Sequence, residues 1–236
     1  ENHMKKIITV LLMSLAFVST LSAKEKKSAG VMTYAEYAAA PLDTQVVVET
    51  YVQAKQSWWD NKGTFYTQDK DGAYFIYNMP CSQEDYNKLV PGTKIKVTGY
   101  KSAWAGEVEI IDATFEIQKG KYIAKAVDVT ALLGTAELEK HQNEFVSFKG
   151  MTVEKANEAG DAWLYKWNGS GAEGDDLYFN VSKDGKTYTF TVESYLCGAE
   201  TAVYKKVKSL KVGDVINMEG FLYWYEGVNP HITAIK

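Results

Sequence analysis

Pro91-Gly-Thr-Lys-Ile-Lys-Val-Thr-Gly99 and, 121 positions on, Val212-Gly-Asp-Val-Ile-Asn-Met-Glu-Gly220 are one pattern written twice. Each opens at a turn glycine, runs through a short stretch that reads as a strand, and closes at a second glycine. The register holds beyond both ends. Gly106 recurs as Gly227, Ile95 as Ile216, Tyr100 as Phe221, Ile111 as Ile232 and Ala113 as Ala234. Upstream, Lys70-Asp71-Gly72 matches Lys183-Asp184-Gly185, Cys81 matches Cys197, and Val46–Val52 matches Val146–Thr152 with Gly150 in place of Thr50. An ordered series of this kind marks a tandem duplication. The repeats are read as 31–118 and 126–236, joined by a linker at 119–125.

The first repeat opens on a short amphipathic segment in which Thr33 and Glu36 have capping-box spacing ahead of Ala38, Ala39 and Ala40. A β-branched run, Gln45 to Ala54, reads as a long strand. Thr64 to Gln68 and Ala73 to Asn78 form the next two, joined by the turn Asp69-Lys70-Asp71-Gly72. Ser82 caps a short helix with an acidic first turn, and Pro91-Gly92 ends it. Lys94 to Tyr100 and Glu107 to Ile117 complete five strands. A helix between strands three and four of five describes a Greek-key barrel. The predicted class is all-β with short helices, as two tandem five-stranded barrels. The second repeat differs by an inserted stretch, Gly169 to Asp176, in its first hairpin and by a longer helix within Ala199 to Leu210.

The stretches Gly63-Thr-Phe-Tyr-Thr-Gln-Asp-Lys-Asp-Gly72 and Pro91–Gly99 resemble strands two and four of oligonucleotide/oligosaccharide-binding (OB) folds. The chain from its tether onward is similar to exported tandem OB-fold proteins of gut-type bacteria. The resemblance implies a barrel whose ligand meets strands two and three and the loops joining strands one to two and four to five.

Ahead of the repeats, Met4-Lys5-Lys6, the apolar run Ile7 to Leu21 and the small pair Ser22-Ala23 have the order of a secretory leader. Glu1-Asn2-His3 reads as a tag remnant, so residues 1–23 are set aside and 24–30 read as a charged tether. The expected location is outside the cytoplasm: periplasm, cell surface or medium. No membrane span is expected once the leader is removed, because the run is shorter than a spanning helix needs. The 26 basic residues are all Lys, and the formal net charge is −4. Phosphate chains are usually gripped by guanidinium forks, so this balance disfavours nucleic acid as a partner.

All six tryptophans fall in the two loop classes that flank an OB groove. Trp58 and Trp59 lie between strands one and two of the first repeat, and Trp104 between strands four and five. Trp163 and Trp167 lie in the extended first hairpin of the second repeat, and Trp224 in its four-to-five hairpin. A flat indole stacks on a sugar or a base. The same positions also suit indoles that pack on one another, close a barrel mouth or join the repeats. Tyr66 and Tyr74, on strands two and three, complete the candidate ligand-binding set. Tyr74 and Ile76 are read as outward-facing, matching Thr187 and Thr189. Lys101 and Asn229 are read as polar helpers beside Tyr66.

Catalytic, metal and cofactor motifs are not found in the sequence. His141 and His231 stand in different repeats without ligand spacing, Asp69-Lys70-Asp71-Gly72 reads as a turn, and Cys81 and Cys197 read as two buried thiols, with a disulfide between them as the alternative. The expectation is a non-enzymatic binding protein engaging an extended ligand through Trp-bearing loops, a glycan first and a peptide next. The alternatives are a single-stranded nucleic-acid binder and an adaptor that docks a cell-surface partner.

Overall fold

The computed structural model describes residues 30–236. The leader and most of the tether lie outside the described residues. No described helix is long and apolar enough to cross a membrane.

Helix α1 (Tyr34–Ala39) begins at Thr33, and the reciprocal Thr33–Glu36 capping box forms as its spacing requires. Strands β1 (Gln45–Lys55), β2 (Lys62–Gln68) and β3 (Ala73–Pro80) follow, then helix α2 (Gln83–Lys88) capped by Ser82, and strands β4 (Thr93–Trp104) and β5 (Glu107–Lys121). They close into a barrel in the order β1-β2-β3-β5-β4. Val46, Val48, Phe65, Ile76, Ile95, Val97 and Ile110 fill it with no exposed surface.

The second repeat is entered through β6 (Val127–Asp128) and two 3-10 turns, Thr130–Leu132 and Ala136–His141. Its strands are β7 (Phe145–Glu154), β8 (Leu164–Tyr165), β9 (Leu177–Lys183), β10 (Lys186–Val192), β11 (Val215–Phe221) and β12 (His231–Ile235), with helix α3 (Ala202–Lys208) between β10 and β11. The order β7-β11-β12-β10-β9 closes through a β7–β9 pairing, which makes the second five-stranded barrel. Its core holds Phe148, Phe179, Phe190 and Ile232.

The repeated glycines have a local cause. Gly99 and Gly220 sit at register breaks in the β4–β5 and β11–β12 pairings. A Cβ on Gly99 would come 2.6 Å from Ile110 Cγ2 and 2.9 Å from the Ile111 carbonyl oxygen. On Gly220 it would collide with the backbone of His231. Each barrel bends where a backbone crosses with no room for a side chain.

One expectation about facing is corrected. The β2–β3 turn spans four residues, since Gln68 pairs with Ala73. The β9–β10 turn spans two, since Lys183 pairs with Lys186, and Asp184 and Gly185 both have positive φ, at 51° and 78°. Aligning the repeats on the turn glycine therefore shifts strand parity by one residue, and a one-residue slip exchanges the two faces. Tyr74 and Ile76 point into the barrel, and Tyr66, Phe75 and Tyr77 point out of it.

The two barrels share a third apolar cluster. Tyr66 and Phe75 of β2 and β3 meet Phe221 at the end of β11, with Ala54, Phe145, Leu196 and Tyr223 around them. Tyr66 stacks on Phe221 at 4.4 Å between centroids, and its hydroxyl lies 2.9 Å from His231 Nδ1. Hydrogen bonds edge this patch: Ser57 N–H to the Tyr195 carbonyl, Phe145 N–H to Gln68 Oε1, Trp224 N–H to Glu107 Oε2, and Glu226 N–H to the Ala105 carbonyl. Burying each of these large rings is worth about 1.5–3 kcal/mol, which fixes one barrel against the other.

Candidate functional site

The OB groove of each repeat is its outward second-and-third-strand face, and the two faces have different fates. In the first repeat that face carries Tyr66 and Phe75, at 0% and 2% exposure, beneath Phe221, Tyr223 and Leu196 of the second. The second barrel fills the groove of the first. Tyr77, one step further along β3, reaches the rim and is exposed.

The second repeat keeps its groove open. On β9, Leu177, Phe179 and Val181 enter the core, so Tyr178, Asn180 and Ser182 face out. On β10, Phe190 and Val192 enter the core, leaving Thr187 and Thr189 outward and exposed, while Thr191 lies on the same face but is buried. The face is pre-organised by hydrogen bonds: Thr189 Oγ1 donates to Asn180 Oδ1, Asn180 Nδ2 to the Lys155 carbonyl, and Thr191 Oγ1 lies 2.9 Å from Asn229 Oδ1. At its rim the four-to-five hairpins of both repeats meet. Trp104 of the first and Tyr225 of the second are exposed, with ring centroids 5.2 Å apart. Sequence and backbone cooperate here, because the Glu226–Ala105 bond ties the two hairpin tips together.

The tryptophans divide three and three. Trp59, Trp104 and Trp167 are exposed, at 71%, 57% and 73%. Trp58, Trp163 and Trp224 pack on the barrel cores. Trp58 donates its indole N–H to the Cys81 carbonyl and Trp163 to the Lys208 carbonyl. A hollow of about 610 Å³ lies beside Trp163, lined also by Leu164, Tyr165, Leu210 and Val212. Tyr66 and Tyr74 are buried, so neither reaches a ligand. Lys101 is a helix cap and not a ligand group: its ammonium donates to the carbonyls of Tyr37, Ala38 and Ala40 at the end of α1. Asn229 is half-buried and meets the outward β9–β10 face at its covered end, through the buried Thr191.

Tyr178, Tyr225, Tyr195 and Tyr77 belong with these surfaces and were not picked out from the sequence. The signal for Tyr178 was the alternation of Leu177, Phe179 and Val181, which leaves the residue between them outward.

Buried carboxyls line the joint below the rim. Glu107 is fully buried, and burial holds its carboxyl well above the usual carboxylate range although Trp224 N–H donates to it. Burial also pushes Glu109 and Glu193 up to about 7. Glu193 accepts the backbone N–H groups of Tyr195 and Leu196 and so shapes the turn that meets Ser57. His231 is pushed the other way, to about 3, by complete burial, which keeps its imidazole neutral. Cys81 and Cys197 are free and buried, and burial pushes the Cys197 thiol up to about 12. No group of acidic, His and Cys side chains suited to a metal ion occurs among the described residues.

No family profile matches the chain, and no curated protein matches it. Solved structures do resemble it. They include the tetrameric p202 HIN2, with 10% identity, 82% of this chain and 94% of that chain covered, and a TM-score of 0.34. A murine DNA-binding protein bound with double-stranded DNA has 10% identity, coverage of 80% and 97%, and a TM-score of 0.37. A deletion mutant of the single-stranded DNA-binding protein from Thermus aquaticus has 12% identity, coverage of 81% and 92%, and a TM-score of 0.25. At these identities the likeness is one of fold. It corrects the expectation about partners, in which nucleic acid was disfavoured and a glycan or peptide took its place. The finding that stands against it is that the murine neighbour is bound with double-stranded DNA and the Thermus aquaticus one is a single-stranded DNA-binding protein.

Proposed function

We propose that the protein is a non-enzymatic binding module for single-stranded nucleic acid, in which the first barrel is a base and the second carries the open groove. The observation that carries this is the exposed Trp104–Tyr225 pair at the mouth of a polar, hydrogen-bonded face. Unpaired bases stack on such rings at about 1–3 kcal/mol each, while Asn180, Thr189 and Asn229 offer donors and acceptors to base edges. Paired bases would hide the faces the rings need, which favours single strands over duplex. With lysine as the sole basic side chain and a net charge of −4, stacking outweighs phosphate attraction, so the salt dependence of binding is shallow. The reading of the leader as a secretory one further makes this an exported protein, which rests on the sequence alone. The repeat boundaries at 31–118 and 126–236 are kept as the proposed units.

The test is a tryptophan-fluorescence titration with an oligothymidylate of about 5 nucleotides, short enough to stay in the groove, at two salt concentrations. Quenching that is lost in Trp104→Ala and changes little with salt supports the reading. Quenching unaffected by that substitution, or no response to any oligonucleotide, refutes it.

A further inference from the structure

Beyond the groove, three of the most exposed aromatic side chains stand on loops joined end to end by hydrogen bonds. Trp59, Tyr195 and Trp167 are 71%, 68% and 73% exposed, and short hydrogen-bonded steps link their backbones. Ser57, two residues before Trp59, donates its N–H to the Tyr195 carbonyl across the joint at 2.8 Å. Ser194, next to Tyr195, donates through both N–H and hydroxyl to Asp176 Oδ1. The Asp176 carbonyl in turn accepts the N–H of Lys166, the neighbour of Trp167. The line therefore runs from the first loop of one repeat, over the turn after β10, to the first loop of the other.

Each ring stands on an ordered turn. Trp59 and Lys62 exchange two backbone hydrogen bonds around Asp60 and Asn61, both at positive φ. Glu193 fixes the Tyr195 turn with its carboxylate, and Asn168 Oδ1 accepts from Ser170 beside Trp167. Rings held this way lose little conformational freedom on contact. A lysine stands at each end: Lys62 beside Trp59 and Lys166 beside Trp167, neither in an ion pair among the described residues. Tyr178 connects the line to the groove, since it lies two residues after Asp176 on β9 and pairs with Thr191 of β10.

We propose that Trp59, Tyr195 and Trp167 form a second contact line for the same single strand where it leaves the open groove, with Lys62 and Lys166 meeting its phosphates. This rests on the reading of the groove given above. A line of separated rings with terminal cations suits a chain of bases and phosphates. A lipid surface would have to desolvate Asp60, the exposed carboxylate next to Trp59.

The experiment compares oligothymidylates of about 5 and about 20 nucleotides, a span that brackets the site of one OB barrel. The parent protein is expected to bind the longer at least tenfold more tightly. The Trp59→Ala/Tyr195→Ala variant should bind the short one as the parent does and lose that advantage on the long one. Lys62→Gln/Lys166→Gln should lower the salt slope for the long oligonucleotide by about 1.4, near 0.7 for each phosphate contact. Trp59, Tyr195 and Lys166 are exposed and Lys62 is half-buried, and an unchanged Tm checks that both variants fold. Equal binding of both lengths by the parent overturns the second line and leaves the groove standing. Failure of both lengths to bind overturns both readings. Binding of phosphatidylcholine vesicles through Trp59, with no competition from oligonucleotide, assigns the line to lipid and overturns it as well.

Discussion

The outward faces of the two barrels occupy equivalent places in the fold and do opposite things. In the first, Tyr66 and Phe75 are fully covered by Phe221, Tyr223 and Leu196 of the second. In the second, Tyr178 and Asn180 are half-buried and Thr189 is exposed, with the Trp104–Tyr225 pair at the rim. The difference lies in side-chain chemistry. A face of two large aromatic rings gains more by leaving water than by meeting a transient ligand, and its one hydroxyl finds His231. A face of threonine and asparagine gains little from permanent burial and remains available. Of the two equivalent grooves, the apolar one forms the joint that orients the other.

Breaking the covered face has the largest expected effect. Phe221→Ala removes the ring stacked on Tyr66 and should cost about 3–5 kcal/mol, with the barrels unfolding in separate transitions by calorimetry. A single transition of unchanged midpoint would show that the cluster does not hold the repeats together. On the open face, Trp104→Ala/Tyr225→Ala should weaken oligothymidylate binding by about 1–3 kcal/mol for each stack lost, with no shift in Tm.

The joint's carboxyls give a smaller effect with a defined sign. Glu109 has its folded-state value raised from 4.5 to about 7, so the folded state holds the proton more tightly and stability falls as pH rises through that window. Glu109→Gln should remove this fall and stabilise the protein above pH 7 by about 1–2 kcal/mol after solvent screening. His231 works in the other direction, since its value is lowered from 6.5 to about 3 and its stabilisation is lost as pH drops through that range. A Glu109→Gln variant with the parent's Tm at every pH would contradict the burial of that carboxyl. Trp167→Ala should do least, within about 0.5 kcal/mol of the parent in urea unfolding, because the ring is 73% exposed.

Much of this fold was legible in the sequence. The recurrence of Gly99 at Gly220 marks the register break in each barrel, and the Thr33–Glu36 spacing marks the start of α1. The placement of tryptophans in two loop classes located the rim that Trp104 occupies. Strand facing on β3 was not legible, because turns of four and two residues shift parity by one although both end in Asp-Gly. That shift put Tyr74 outside when it belongs to the core. The covering of Tyr66 could not be read either. Periodicity separates the two faces of a strand but does not tell a face that meets solvent from one that meets another barrel. Lys101 fell to the same cause, since three carbonyls at the end of α1 claim it only once the helix has packed.

The central claim is that one groove is filled and its twin is open. Hydroxyl-radical footprinting of the aromatic side chains, with and without oligothymidylate, tests it most directly. The account predicts that Trp104, Tyr178 and Tyr225 are modified in the free protein and protected by the oligonucleotide, while Tyr66 and Phe75 are unreactive in both states. Modification of Tyr66 or Phe75 in the free protein, or protection confined to the first barrel, would contradict it.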